Sequence, residues 1–493
     1  MTEYPTVDIY IETLKNQQDL AELFNEFNNN KYVFSKGAYF EYDGDCNKPL
    51  LWVEVNDKTI ISHIGSWLKI IQRHYLNDDN TTQKELVELT KGTLSARKAS
   101  FLKDVFLFLS VMITDETFYE KLNRACPHHI PIKNCSLLDL RTGEIRTRQK
   151  TDYFTYFSNA EYIVDKKRTK EQKEEKKYFD NFISQIMCDN KDNLKYFQKM
   201  LGYCLTGDIS ARVFFIWWGV GANGKSIILN LMKEILKDQY QAVAKSVFIN
   251  NGKSSSINAE TEVLKDCRLA TFSETSAKEC LNESLIKMIS GNDSISVNPK
   301  YRKPYSFTTI CKLILCTNHK PEFNGNDKAN IDRVCFIPFN ARFVDEPKKA
   351  REYKKILGVD KIIAEKYLNE FFSFCVDGAT AYYKSQKFEP PQEIKTAQDK
   401  YTQEQATISN FIKDIYIINE TDKDLKLRKS DIKIQHETYC KDNDLKLEKI
   451  SLVYDALIEL VGEPKKDKNG IYYFKNIGLK PFVREEDPND LDD

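Results

Sequence analysis

The residues whose types and spacing could do chemistry lie in the stretch "FFIWWGVGANGKSIILNLMKEIL", from Phe214 to Leu236. Its centre fits the spacing G-x-x-x-x-G-K-[ST], in which glycines let a loop turn its backbone N–H groups toward phosphate oxygens. An apolar run precedes the loop and apolar residues at helical spacing follow it, which is the context this motif requires. The stretch therefore predicts a nucleotide-binding site. The predicted nucleotide-binding residues are Gly219, Gly221, Asn223, Gly224, Lys225, Ser226 and Ile227.

The bound nucleotide predicted by this loop is ATP with Mg²⁺. We expect Lys225 to contact the β- and γ-phosphates and the Ser226 hydroxyl to ligate the metal ion. Such a site needs a second acidic group at the end of another buried strand. In "CRLATFSETS", Glu274 follows the apolar run from Leu269 to Phe272. Glu274 is therefore the candidate catalytic acid and second metal ligand, and the alternative is a surface glutamate in a turn.

Two further candidates follow from the next apolar runs. Asn318 ends the run "KLILCT" and could hold the attacking water beside the γ-phosphate, although an asparagine in a structural turn would look the same. Arg333 begins the run "RVCFIPF", where an arginine could contact a γ-phosphate bound by a neighbouring subunit. We expect Lys225, Glu274, Asn318 and Arg333 to form the catalytic set.

A basic and aromatic segment lies between "SISV" and "PYSFT". These flanks favour a hairpin, and a tip of cations with an aromatic ring suits a phosphodiester backbone and stacked bases. The alternative is a plain exposed turn. The predicted DNA-binding residues are Lys300, Tyr301, Arg302 and Lys303.

Composition limits the possible partners. The 73 Lys and Arg residues equal the 73 Asp and Glu residues, so any nucleic-acid site must be a local basic surface. No apolar run reaches the roughly 18 residues of a membrane-spanning helix, and the N-terminus does not resemble a signal peptide. Twelve scattered cysteines without a CxxC pair indicate a reducing compartment, which fits the cytoplasm and equally the nucleus. The group Cys126, His128, His129 and Cys135 matches no standard zinc spacing, and a surface turn is favoured.

The chain of 493 residues is long enough for about three domains. Short apolar strands alternating with helices predict an α/β domain with a mainly parallel sheet in its middle. The predicted divisions are an N-terminal α+β region at 1–160, a charged linker and helical collar at 161–205, an ATPase domain at 206–345, a helical lid at 346–400, a small α+β domain at 401–480 and an acidic tail at 481–493.

Five elements in order, "GVGANGKS", "ATFSE", "KMISGNDSISV…KYRKPYSF", "LILCTNHKP" and "IDRVCFIPFNARF", resemble the superfamily 3 helicases. The resemblance is strongest to the poxvirus-type primase-helicases of large DNA viruses, phages and plasmids, and it extends over residues 20 to 400. It implies an AAA+-like P-loop ATPase domain, a collar-like N-terminal region and, loosely, a winged-helix-like C-terminal domain.

The resemblance also implies a ring, usually a hexamer, that moves along single-stranded DNA in the cytoplasm of a host cell. It assigns Glu274 as catalytic acid, Asn318 as sensor, Arg333 as the arginine finger acting on a neighbour, and 300–303 as the pore hairpin. Flanking acids are missing beside Glu274, which departs from the family pattern, and no primase site is recognisable.

Three functions remain open from the sequence. The first is an ATP-dependent replicative DNA helicase. The second is a nucleotide-dependent ring scaffold or loader that recruits a primase or polymerase without unwinding, and the third is an RNA-directed ATPase. A winged-helix-like C-terminal domain would give residues 405–480 DNA affinity of their own, and a packing domain would not.

Overall fold

The computed structural model describes residues 4–44, 50–165, 168–249, 259–273, 281–297, 305–321, 332–419, 422, 425–443, 447 and 449–480. Glu274, the hairpin tip at 300–303 and the acidic tail at 481–493 lie outside these ranges. Within them, no helix combines the length and the apolar character needed to cross a bilayer.

The N-terminal region combines six helices with two three-stranded antiparallel sheets. Its helices are α1 (Val7–Thr13), α2 (Gln17–Phe27), α3 (Asp57–Leu76), α4 (Gln83–Ala96), α5 (Ala99–Met112) and α6 (Phe118–Lys121). Its strands are β1 (Tyr32–Ser35), β2 (Ala38–Tyr42), β3 (Trp52–Val55), β4 (His129–Ile132), β5 (Ser136–Asp139) and β6 (Ile145–Thr147). Helix α3 shows why the helices form: the Asn56 side chain caps its first turn, and the apolar face from Ile60 to Ile71 is buried.

The described part of this region contains antiparallel hairpins. Strand β2 pairs with β3 across the Asp-Gly segment, and β5 pairs with β6 around Thr142 and Gly143. Gly143 has a φ of 78°, a left-handed conformation that favours glycine. A third strand, β1 or β4, completes each sheet.

Two collar helices follow, α7 (Lys170–Ile186) and α8 (Lys191–Leu205). The charged run before Asp180 is helical from Lys170 onward, and Thr169 caps it with a capping box. The apolar face at the end of this helix is buried and consists of Phe179, Phe182, Ile183, Ile186 and Met187.

The central domain is built on a parallel sheet, as predicted, and the described residues form five of its strands. Its strands are β7 (Phe214–Trp218), β8 (Tyr240–Ala242), β9 (Leu269–Ser273), β12 (Lys312–Thr317) and β13 (Val334–Pro338), in the order β13-β7-β12-β9-β8. Helices α9 (Lys225–Leu236) and α10 (Glu283–Gly291) and the hairpin β10 (Ile295–Val297) and β11 (Tyr305–Phe307) complete it. Every residue of β12 is buried, which explains its continuous apolar run.

The segment after the sheet contains β14 (Arg342–Val344), β15 (Glu352–Lys354), α11 (Val359–Lys366) and α12 (Leu368–Ser385). Helix α12 packs closely on α8, because glycines occupy the crossing. A Cβ added at Gly202 would lie 2.0 Å from the Ala379 nitrogen, and one added at Gly378 would lie 2.0 Å from the Gln198 oxygen. The collar and the lid are therefore fixed to each other by backbone contact.

Helix α13 (Gln392–Ile415) crosses the boundary predicted at residue 400. Its Tyr401 stacks on Phe336 of the central sheet at 4.8 Å, whereas Phe411 and Ile412 belong to the C-terminal core. The two units thus share one helix rather than meeting at a linker.

The C-terminal unit has α+β architecture, as predicted. Its elements are β16 (Tyr416–Ile418), β17 (Lys426–Arg428), α14 (Lys429–Asp442), α15 (Ile450–Val461), β18 (Lys465–Lys466), β19 (Tyr472–Lys475) and β20 (Ile477–Leu479). Strands β17, β19 and β18 form an antiparallel sheet with β19 in the middle.

Candidate functional site

The glycine-rich loop occupies the carboxyl end of β7, near the centre of the parallel sheet. Gly221 and Gly224 have φ values of 101° and 88°, which residues with side chains rarely adopt. Helix α9 begins at Lys225, so the unpaired N–H groups of its first turn lie beside the loop. This arrangement suits an anion such as a phosphate.

Lys225 is the buried cation of this loop, with 8% of its surface exposed. Its Nζ donates to the carbonyl oxygen of Gly219 at 2.6 Å and to Oδ1 of Asn318 at 3.4 Å. Burial lowers the pKa of the Lys225 ammonium. No carboxylate among the described residues forms an ion pair with it, so its charge is available to a phosphate.

The loop is held in shape by the segment that follows β13. Asn223 Nδ2 donates to the carbonyl oxygen of Phe339 at 3.3 Å, and the Phe343 N–H donates to the carbonyl oxygen of Ala222 at 2.8 Å. A Cβ added at Gly219 would lie 2.6 Å from that same Phe339 oxygen. Sequence reasoning missed this support, because backbone hydrogen bonds between distant segments leave no local pattern.

A cavity of about 980 Å³ opens in front of the loop. Residues predicted to bind nucleotide line it, namely Gly221, Asn223, Gly224, Lys225, Ser226 and Ile227, together with the predicted sensor Asn318. Gly219 does not line the cavity, and its carbonyl oxygen accepts the hydrogen bond from Lys225 Nζ. The structure therefore brings together most of the predicted phosphate-contacting groups.

The same cavity has an apolar side and two further lysines. Tyr178, Phe343 and Val359 provide apolar surface suited to a base, and the Tyr178 ring stacks on Tyr367 at 4.8 Å. Lys354 and Lys355 also line the cavity. Neither region was predicted, since the residues come from α7 and from the segment beyond the sheet.

The site residues fit an Mg²⁺–ATP complex in part. Ser226 lies in the first turn of α9 and lines the cavity, as a hydroxyl ligand must. Strand β9 ends at Ser273, which also lines the cavity, and the predicted acid Glu274 is the next residue and lies outside the described residues. No group of three potential metal ligands occurs within the described part of the chain.

Arg333 lies at the amino end of β13, whereas the loop lies at the carboxyl end of the neighbouring strand β7. It precedes β13, whose Val334 pairs with Phe214 and whose Pro338 pairs with Trp218. Five strand residues place it roughly 17 Å from the carboxyl edge. Its Nε and Nη1 are buried and have no hydrogen-bond partner among the described residues. Arg333 therefore does not join Lys225 and Asn318 within one chain.

The base of the predicted hairpin is well defined, although its tip at 300–303 lies outside the described residues. Strands β10 and β11 pair with Ile295 opposite Phe307. The Lys265 ammonium lies 4.2 Å from the Tyr119 ring and 5.3 Å from the Tyr305 ring. Lys265 thus bridges Tyr119 of the N-terminal region and Tyr305 at the base of the hairpin.

The cysteine and histidine group near residue 128 has other partners. His128 Nδ1 lies 2.8 Å from the Tyr383 hydroxyl, and His129 Nε2 lies 3.6 Å from Asp139. Burial lowers the pKa of both imidazoles. These contacts fix the turn against α12 and β5, in line with the structural interpretation.

Two family models match the chain. One is described as "D5 N terminal like" and matches residues 21–188, and the other is described as "Family of unknown function (DUF5906)" and matches residues 217–333. The first covers the N-terminal region and α7, and the second extends from β7 to Arg333.

Proteins of large DNA viruses are similar to this chain in sequence. "Putative helicase L207/L206" of Acanthamoeba polyphaga mimivirus is 26% identical over 330 residues, which are 66% of this chain and 33% of that protein. "Putative helicase 121R" of Invertebrate iridescent virus 3 is 23% identical over 398 residues, 72% of this chain and 42% of that protein. "Primase D5" of Fowlpox virus (strain NVSL) is 22% identical over 193 residues, 38% of this chain and 24% of that protein.

These matches confirm the resemblance stated from the motifs: the chain is a relative of the poxvirus-type D5 primase-helicase proteins of large DNA viruses. It spans less than half the length of the curated relatives it matches. Among solved structures, the apo C terminal region of NrS-1 aligns with 94% of this chain and 100% of its own, at 13% identity and a TM-score of 0.46.

Proposed function

We propose that the chain is an ATP-dependent replicative DNA helicase that moves along single-stranded DNA as a ring-shaped oligomer. The observation that carries the proposal is the meeting of Lys225 and Asn318 in one cavity at the carboxyl edge of a parallel sheet. Ligands of open α/β sheets bind at that edge. Relatives named putative helicases support the same function, and the strand–loop–helix arrangement supports the AAA+-like P-loop interpretation.

Within the site, each group has a distinct task. Lys225 and the first turn of α9 bind the phosphates, and Asn318 positions the water beside the γ-phosphate. Ser226 and Glu274 would hold Mg²⁺, which when bound neutralises phosphate charge. Glu274 would accept the proton of the attacking water. Tyr178 and Phe343 would contact the base, which leaves the triphosphate at the glycine-rich loop.

The position of Arg333 supports the proposed ring. Arg333 lies at the amino end of β13, away from the nucleotide site of its own chain. Its Nε and Nη1 have no hydrogen-bond partner among the described residues. A neighbouring copy would receive it as an arginine finger, which stabilises charge on the transferred phosphoryl group. A hexamer closes such head-to-tail contacts without leaving a free end.

DNA contact would come from the hairpin tip at Lys300, Tyr301, Arg302 and Lys303. The base of the hairpin is fixed by the Tyr305 hydroxyl, which donates to Glu262 at 2.6 Å, and by Lys265 between two rings. A rigid base lets nucleotide-driven movement of the domain reach the tip. A primase or polymerase partner in the host cytoplasm completes the proposed replicative role.

The experiment compares ATP binding and hydrolysis by the wild type, Lys225→Ala and Lys233→Ala. Lys233 is exposed on the same helix and is the matched control. We expect Lys225→Ala to abolish hydrolysis and Lys233→Ala to retain it. Full hydrolysis by Lys225→Ala would rule out the site. ATP-dependent assembly without strand displacement would instead favour the scaffold or loader function.

A further inference from the structure

We infer that the outer face of the C-terminal sheet, formed by β17, β19 and β18, binds the phosphate backbone of a nucleic acid. The two faces of this sheet are unlike. Leu427 and Phe474 point into the core, with 6% and 0% of their surface exposed, so their neighbours along each strand point outward. The outward residues of β17 are Lys426 and Arg428, and those of β19 are Tyr473 and Lys475. On β18, Lys465 is the partner of Tyr473 and lies on the same face.

The strand register gathers these residues into one patch. Lys426 stands opposite Lys475, and Tyr473 stands opposite Arg428 on one side and Lys465 on the other. Residues directly opposite each other in antiparallel strands have Cβ atoms about 5 Å apart, and outward residues along one strand are about 7 Å apart. The tyrosine ring is therefore surrounded by four cations.

Within the described residues, no acidic side chain neutralises these charges. Lys426, Arg428 and Lys465 are exposed and Lys475 is half-buried. None of the four forms an ion pair with any residue that the structure describes, and none of the outward positions of this sheet carries an acidic residue. Like charges placed directly opposite each other destabilise a sheet. The pairing of Lys426 with Lys475 is thus unfavourable until an anion lies between them.

The combination of cations and a ring identifies the class of anion. A nucleic acid supplies closely spaced phosphates for the cations and a base that can stack on Tyr473. The chain as a whole has no net charge, so this patch is a local concentration of positive charge. The sequence left open whether residues 405–480 bind DNA or only pack, and this patch favours DNA affinity, independently of ATP hydrolysis.

The test measures fluorescence anisotropy of a labelled single-stranded DNA oligonucleotide with the full chain, without ATP and in the Lys225→Ala background. The patch variant is Lys426→Gln, Arg428→Gln, Lys465→Gln and Lys475→Gln. The control makes the same change in charge on the collar helices, with Lys173→Gln, Lys177→Gln, Lys191→Gln and Lys195→Gln.

We expect the patch variant to bind at least about tenfold more weakly and the logarithmic salt slope to fall by about 3, since each lost phosphate contact on a single strand removes about 0.7. The control should keep both the affinity and the slope. Equal affinities for the patch variant and the control would overturn the inference. Because ATP is absent, failure of the helicase proposal would leave this result unchanged.

A second variant separates binding from folding. Lys475→Glu places an acid opposite Lys426, so the sheet should keep or raise its melting temperature while DNA affinity falls. Unchanged DNA affinity in Lys475→Glu would contradict the inference. Vesicles with anionic lipid form a further arm: binding to vesicles but not to DNA would assign the patch to a membrane surface and overturn the nucleic-acid assignment.

Discussion

The ammonium nitrogen of Lys225 lies 3.4 Å from the side-chain oxygen of Asn318, although the two residues are 93 positions apart in the chain. Parallel pairing explains the contact. Thr317 at the end of β12 pairs with Trp218 at the end of β7, so the residues that follow both strands meet at one edge. A γ-phosphate bound by Lys225 would therefore also lie within reach of the Asn318 amide.

This contact predicts that Asn318→Ala separates ATP binding from ATP hydrolysis. Lys225 and the loop remain, so ATP affinity should change little. Hydrolysis should fall about 10²-fold, the usual effect of removing one polar group aimed at developing charge. Single-turnover hydrolysis alongside fluorescent nucleotide binding measures both quantities. A variant that loses affinity and hydrolysis to the same extent would show that Asn318 shapes the loop instead.

The position of Arg333 predicts complementation between subunits. Arg333→Ala should lack hydrolysis because its neighbours lack the finger, and Glu274→Ala should lack it because its own site lacks the acid. Mixed rings contain interfaces with an intact Glu274 on one side and an intact Arg333 on the other. We expect hydrolysis to rise on mixing. Absence of rescue at every mixing ratio would contradict the trans arrangement.

Backbone contact between α8 and α12 predicts a stability effect. Gly202→Ala introduces a Cβ 2.0 Å from the Ala379 nitrogen, and a backbone atom cannot move aside as a side chain can. We expect a loss of at least about 1–3 kcal/mol in the free energy of unfolding, measured by urea denaturation.

The matched control is Gly65→Ala in α3, where the added Cβ would meet Leu102 Cδ1 at an ordinary 3.5 Å. That variant should gain about 0.5–1 kcal/mol, because alanine loses less conformational freedom than glycine in a helix. Equal stabilities for the two variants would show that the α8–α12 contact is looser than described.

Lys312 predicts a pH dependence of stability. Its side chain is buried at the start of β12, where Nζ donates to the carbonyl oxygens of Thr206 and Ile310, and burial lowers its pKa from 10.5 to about 8. Between these pH values the unfolded chain holds a proton that the folded chain has released. Stability attributable to Lys312 therefore rises with pH across this window, by up to about 3 kcal/mol.

The measurement compares urea unfolding of the wild type, Lys312→Met and the exposed control Lys233→Met from pH 7 to pH 10.5. The stability of the wild type relative to Lys312→Met should increase with pH, while Lys233→Met should run parallel to the wild type. If the stability of Lys312→Met instead ran parallel to that of the wild type, burial would not lower the pKa of Lys312 in the folded protein.

Much of the site could be predicted because it depends on local pattern. A buried parallel strand is an uninterrupted apolar run, so the ends of β7, β9, β12 and β13 could be located, and with them Lys225 and Asn318. The glycine-rich loop carries its chemistry within eight residues.

The parts of the site that could not be predicted depend on pairing between distant segments, which leaves no local pattern in the sequence. Phe343 supports the loop through its backbone N–H, and Lys354 and Lys355 reach the cavity from beyond the sheet. The cationic face around Tyr473 arises from strand register, and a shift of one residue would turn it into the core. The position of Arg333 at the end of the sheet opposite the loop likewise depends on β13 being parallel to β7.

The most direct test of the helicase proposal is steady-state ATP hydrolysis with and without single-stranded DNA at fixed low salt, with Lys225→Ala as the blank. We predict hydrolysis that depends on Lys225 and is strongly stimulated by DNA. Hydrolysis that depends on Lys225 but is indifferent to DNA and RNA would contradict the motor function and favour a scaffold or loader.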